Sequence, residues 1–111
     1  MSGEEVIREA GGLDALLLSK KRLLIALFLY IHGPATLSEI RRGTGLTWSD
    51  IDHNTRLLAE SGYVRLRRSI RGRPVVVAEL TEEGVQRLEA LLEALERLVE
   101  GLRGYRSPSP R

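Results

Sequence analysis

Apolar positions along the chain change their spacing several times, and each change marks an element. Residues 4–10 have the make-up of a short helical turn, broken by Gly11-Gly12, and LDALLL at 13–18 leads into the first main helix. Between 20 and 31, Leu23, Ala26, Leu27 and Tyr30 recur at three- and four-residue spacing. This predicts a helix with those four residues inward, Ser19 as its N-cap and Gly33-Pro34 as its stop. Pro34-Ala35 then allows a brief extended piece. Thr36 and Glu39 form a T-x-x-E capping box opening a second helix, with Leu37 and Ile40 inward. Gly45 supplies a positive-φ turn. Thr47 and Asp50 form a second box, opening a helix over about 48–61 that buries Ile51, Thr55 and Leu58 and stops at Ser61-Gly62. Two capping signals with a glycine between them fix a helix-turn-helix register.

Past Gly62 the period falls from nearly four to two, which predicts strands over about 63–68 and 75–80. Val64 and Leu66 share one face, and Arg65 and Arg67 the other. Arg71-Gly72-Arg73 is the turn, and Pro74 opens the return strand, where its missing donor costs least. From Thr81 the helical period returns, with Glu82 and Glu83 at the positive end of the helix dipole. Val85, Leu88, Leu92, Leu95, Val99 and Leu102 repeat at the a/d spacing of a coiled-coil seam, and Leu91 and Leu98 widen it. Part of this stripe can pack on the first main helix. The remainder exceeds what so small a chain covers, so all eight residues are candidates for contact with a second copy. GYRSPSPR has the composition of a disordered tail. Its S-P-S-P run resembles a proline-directed phosphorylation site, although a disordered end is the simpler reading.

Composition narrows the class. With 42% apolar and 29% charged residues in 111, the chain reads as one soluble globular domain. The apolar run at 23–31 is too short for a membrane span, and the acidic start MSGEEVIREA does not resemble a secretory signal, so a cytoplasmic, nucleoid-associated location is expected. Absence of cysteine excludes disulfides and thiolate metal sites. Asn54, Gln86 and Met1 are each the only residue of their type, a scarcity that fits a thermophile; the preference for arginine over lysine fits genomic base composition as well. The net charge of +2 says little, but its distribution says more. Arg65, Arg67, Arg68, Arg71 and Arg73 lie together with no acid among them, while Glu82, Glu83, Glu89, Glu93, Glu96 and Glu100 fall on the last helix. A basic face opposite an acidic one follows.

A helix sized for the major groove, followed by a cationic β-ribbon, is the layout of a winged helix and points to duplex DNA as partner. The fold class expected is mainly α with a small β-hairpin wing (α+β), a winged helix-turn-helix with a long C-terminal dimerisation helix. The runs LSEIRRGTGLT, the I-x-x-x-x-R-x-L helix, ESGYV and AELTEEG resemble winged-helix transcription regulators of the MarR/ArsR-like kind, over about residues 19–102. That resemblance implies a dimer joined through terminal helices, with the helix at 48–61 in the major groove and the wing on the backbone or minor groove. It divides the chain into an N-terminal helical extension (1–18), a winged helix DNA-binding domain (19–80), a coiled-coil-like dimerisation helix (81–103) and a tail (104–111).

Residue by residue, it places Trp48, Ser49, Asp52, His53 and Arg56 at the groove. Relatives commonly carry a small hydroxyl at Asp52, an arginine at His53 and a leucine at Thr55, and here Asp50, Asp52 and Glu60 outnumber Arg56. Asp50 is accounted for by its cap. Asp52 needs either a cytosine amino group or Arg56 at i+4. Trp48 either stacks on a base or covers the junction between two helices. Arg65, Arg67, Arg68, Arg71 and Arg73 are the wing contacts, with Arg65 and Arg67 equally readable as a solvated strand face. Lys20-Lys21-Arg22 reads as a solvated helix start or as a phosphate contact.

No metal or cofactor is expected. Asp50 and His53 share a helical face but Asp50 is used as a cap, and His32 suits the end of another helix. No P-loop, nucleophile elbow or convergent carboxylate pair suggests an enzyme. The function expected is a sequence-specific DNA-binding transcription regulator acting as a homodimer. The alternative is a winged-helix protein–protein module or an architectural protein binding DNA without sequence choice. Whether a small-molecule effector exists is left open by the sequence.

Overall fold

The computed structural model describes residues 1–70 and 72–105. The elements in chain order are α1 (Gly3–Gly11), α2 (Lys20–His32), β1 (Ala35–Thr36), α3 (Leu37–Thr44), α4 (Trp48–Glu60), β2 (Val64–Ser69), β3 (Val75–Leu80) and α5 (Glu82–Leu102), closed by a 3-10 turn at Arg103–Tyr105. The strands form an antiparallel sheet in the order β1-β3-β2, with Ala35 opposite Ala78 and Val64 opposite Leu80. The brief extended piece after Pro34 is thus a third strand, tying the entry of α3 to the base of the wing. This is the winged helix-turn-helix architecture expected from the sequence, mainly α with a small sheet.

Local chemistry explains most boundaries. Ser2 and Glu5 form a reciprocal capping box that starts α1, and Thr36 and Glu39 do the same for α3. Gly45 and Gly62 close α3 and α4 at φ 75° and 83°. Thr81 caps α5 by accepting from the Gly84 amide. Residues 13–18 are not helical. The Asp14 carboxylate accepts from the Leu16 and Leu17 amides at 2.9 and 3.0 Å, winding a turn that drives Leu17 into the core. Ser19 occupies the N-cap position of α2 but its hydroxyl caps nothing.

The inward face of α2 differs from the one its spacing predicts. Ile25, Ala26 and Leu29 are buried, whereas Leu23 and Leu27 are half-buried and Tyr30 is exposed, donating to Glu89 at 2.6 Å. The physical reason is that α2 is packed against α3, α4, β3 and α5 together. A helix apolar on most sides has no polar stripe to set its phase.

The apolar stripe of α5 is less free than its spacing predicts. Leu88 and Leu91 are 0% and 2% exposed and belong to the chain's own core, and Leu98 is buried too. Both α2 and α1 pack against α5; on the α1 side Arg97 reaches Glu9 at 2.8 Å and the Tyr105 hydroxyl donates to the Met1 carbonyl at 3.0 Å. Val85 and Leu95 are half-buried, leaving Leu92, Val99 and Leu102 exposed.

At its other end α5 meets the wing. Thr81 N–H donates to the Tyr63 carbonyl at 3.0 Å and the Thr81 hydroxyl to the Gly62 carbonyl at 2.6 Å. The approach is close enough that a Cβ on Gly84 would fall under 3.0 Å from the Tyr63 carbonyl. The body is elongated, with a radius of gyration of 17.3 Å against about 13 Å for a compact domain of this length.

Candidate nucleic-acid interface

The position of α4 is set by the helix before it and by contacts in its own first two turns. On the α3 side, Thr36 Oγ1 accepts from the Glu39 amide at 3.1 Å and the Glu39 carboxylate accepts from the Thr36 amide at 2.8 Å. Those bonds, the backbone one first, hold Glu39 below its usual titration range. Thr47 Oγ1 accepts from the Asp50 amide at 3.1 Å, but the expected return bond is not made. Asp50 instead takes the Lys21 ammonium at 2.9 Å, and that partner holds its carboxyl below the usual range.

A second tether lies one residue on. Arg22 donates to the Leu16 carbonyl at 2.6 Å and to Asn54 Oδ1 at 2.9 Å, and Asn54 Nδ2 donates to the Asp50 carbonyl at 2.8 Å. Asn54 is only 3% exposed. Lys21 and Arg22, read from the sequence as a solvated or phosphate-facing start, therefore pin α4 against α2 instead. A signal existed. Asn54 is an amide on the same inward stripe as Ile51 and Leu58, and a buried amide requires partners.

Outward, α4 presents Trp48, Ser49, Asp52, His53 and Arg56, all exposed. Asp52 and Arg56 pair at 2.6 Å, so the second of the two roles open to Asp52 is realised within the chain. Trp48 is half-exposed, and the guanidinium of Arg41, from α3, lies over its ring at 5.2 Å. Arg41 and Arg42, both exposed on α3, extend the cationic surface beside the amino end of α4 and were not among the candidates read from the sequence.

The wing places Arg65, Arg67 and Arg68 on β2 and Arg73 just before β3, all exposed. Gly72 makes the turn at φ 64°. Arg65 faces its cross-strand partner Glu79 at 3.7 Å, which offsets part of its charge. Arg71 and the S-P-S-P tail lie outside the described residues. At the root of the wing Tyr63 donates to Asp14 at 2.6 Å under the Arg87 guanidinium, and burial first, then Asp14, push its hydroxyl up to about 12.

Among the described residues no cluster of three potential metal ligands occurs, and no helix is long and apolar enough to cross a membrane. His32 does sit at the end of α2 as expected, stacked on Phe28 and 3.7 Å from Glu39.

Comparison with known proteins bears on this surface. A sequence profile described as a winged helix DNA-binding domain matches residues 22–99. Comparison by sequence with curated proteins gives no significant match. Among solved structures, the chain is similar to a transcriptional regulator homologue from Pyrococcus horikoshii OT3, at 30% identity over 88% of this chain and 97% of that one, with a TM-score of 0.81. It is also similar to AbfR of Staphylococcus epidermidis, whose overoxidised form is known bound to DNA; identity is 25% over 92% of this chain and 71% of the other, with a TM-score of 0.67. YusO from Bacillus subtilis shares the fold at 17% identity and a TM-score of 0.75, covering 95% and 72%.

Proposed function

We propose, given that the chain belongs to the winged helix DNA-binding domain family, that it is a sequence-specific transcription regulator binding duplex DNA as a homodimer. One observation carries the reading. The exposed row Ser49, Asp52, His53 and Arg56 lies on a helix tethered at Asp50 and Asn54, and the β-ribbon that follows is cationic along its exposed side. A fixed rod with polar groups outward suits base edges, and guanidinium groups suit phosphate. The DNA-bound form of AbfR supports the same assignment.

In this reading α4 enters the major groove. Ser49, His53 and Arg56 meet base edges or flanking phosphates, and Trp48 and Arg41 lie at the groove's edge. Arg68 and Arg73, with Arg71 between them in the sequence, grip the backbone or enter the minor groove, while Arg65 and Arg67 add to the field. The second copy packs on Leu92, Val99 and Leu102 of α5, all exposed. Two-fold symmetry then calls for a palindromic operator with half-sites about 10–10.5 bp apart.

Selection from random duplexes tests it. A palindromic consensus supports the regulator, and a featureless pool supports an architectural protein. Failure to retain any duplex in dilute buffer overturns DNA binding altogether. With about six to eight phosphates neutralised per dimer, log K falls against log salt with a slope of about −5 to −7, and alanine at Arg68 and Arg73 flattens it.

A further inference from the structure

We infer that Asp52 and Arg56 act together as one reader of a G·C base pair, with Asp52 the residue that sets specificity; this rests on the placement of α4 in the major groove. The two side chains are one helical turn apart on the outward row of α4 and joined by Arg56 Nη2 to Asp52 Oδ2 at 2.6 Å. Asp52 and Arg56 are 64% and 61% exposed, so both are largely open to solvent.

The bond uses one of the five guanidinium donors and one carboxylate oxygen. Four donors and Asp52 Oδ1 remain free, held side by side. Across the major-groove edge a G·C pair presents acceptor, acceptor, donor: guanine N7 and O6, then the cytosine amino group. The joined pair presents the complement, two donors from Arg56 followed by an acceptor from Asp52. An A·T pair presents acceptor, donor, acceptor, so two of the three positions mismatch: an Arg56 donor meets the adenine amino group and the Asp52 acceptor meets thymine O4.

The carboxylate also discriminates by repulsion. A lone arginine on this face would hold any phosphate. With Asp52 attached, the site carries no net charge, and the anionic oxygen is favoured only where a base amino group meets it. Asp52 therefore weakens binding to unrelated duplex while strengthening the choice at one position, which accounts for an acid on a DNA-facing helix.

The test is selection and titration with the full chain, wild type against Asp52→Ala, Asp52→Asn and Arg56→Lys, with thermal melts to verify that these exposed changes leave the fold intact. Wild type should show one strong G·C position per half-site, with A·T there binding on the order of 5- to 100-fold more weakly. Asp52→Ala should lose information at that position alone, bind random duplex several-fold tighter, and steepen the salt slope by about one per protomer. Arg56→Lys should lose the same position, because a point charge cannot span N7 and O6 as a fork does. An unchanged consensus in Asp52→Ala, or weaker binding to every duplex, overturns the inference while DNA binding stands. Wild type that retains no duplex overturns the underlying reading instead.

Discussion

Gly84→Ala separates packing from propensity in a single methyl group. Judged as a position in a 21-residue helix, alanine should gain about 1 kcal/mol over glycine. The structure reverses that sign. The new Cβ would lie under 3.0 Å from the Tyr63 carbonyl oxygen, a backbone atom that cannot rotate away. Relief requires the first turn of α5 to withdraw from the root of the wing. Doing so strains the bonds from Thr81 to the Tyr63 and Gly62 carbonyls, each contributing about 0.5–1.5 kcal/mol, and overpacking adds about 1–3 kcal/mol. Set against the propensity gain, the net loss is about 1–5 kcal/mol, centred on about 3. For a domain of this size that is a fall in Tm of roughly 10 °C, read by calorimetry or urea titration. Gly11→Ala is the control, since its Cβ would meet nothing within 4 Å and should be near neutral. A Gly84→Ala protein as stable as wild type refutes the close approach and the account of how α5 is seated.

Four further outcomes are expected. Thr36→Ala removes the α3 cap at a cost of about 1 kcal/mol in denaturant titration. Because Glu39 titrates below its ordinary range when folded, chiefly through the Thr36 amide, its contribution is present above the unfolded pKa and is lost as pH falls through the depressed value, so Glu39→Gln should show a shallower loss of stability in acid. Tyr63, raised from 10.0 to about 12, binds its proton more tightly folded than unfolded, so stability should fall as pH climbs from about 10 to 12, and Tyr63→Phe should flatten part of that decline in pH-dependent melts. Arg22→Met strands the Leu16 carbonyl and the buried Asn54 amide at a cost of about 1–3 kcal/mol, whereas adding Asn54→Leu should recover part of it; a double variant no better than the single would discount the tether.

What was legible in the sequence was what neighbours decide. The Thr36–Glu39 box, the turn at Gly45, the Thr47 cap and the strand alternation from Val64 to Arg67 each involve residues a few positions apart, and the structure has all of them. Contacts between distant segments were not legible. In the sequence Asp50 reads only as half of a cap, and it is the arrival of α2 that brings it Lys21 in place of the Thr47 amide. Arg22 and Asn54 are 32 residues apart, so nothing local announces their bond. The stripe on α5 looked freer than it is because α1, which packs along that helix, lies at the opposite end of the sequence. Gly84 appeared in a recognisable run, T-E-E-G, but its reason is a carbonyl contributed by another element. In the interface, exposure of Ser49, His53 and Arg56 followed from helical phase, whereas Arg41 over Trp48 required the angle between α3 and α4.

The chain has a single indole, and it stands half in water at the amino end of α4, under one guanidinium. That makes the molecule its own optical gauge. Emission from Trp48 reports on one corner only, so a polyanion arriving there should alter its intensity and shield it from aqueous quenchers without any dye attached. Events confined to the far end of α5 should leave the signal still, allowing self-association and ligand arrival to be followed as two separate curves in one cuvette.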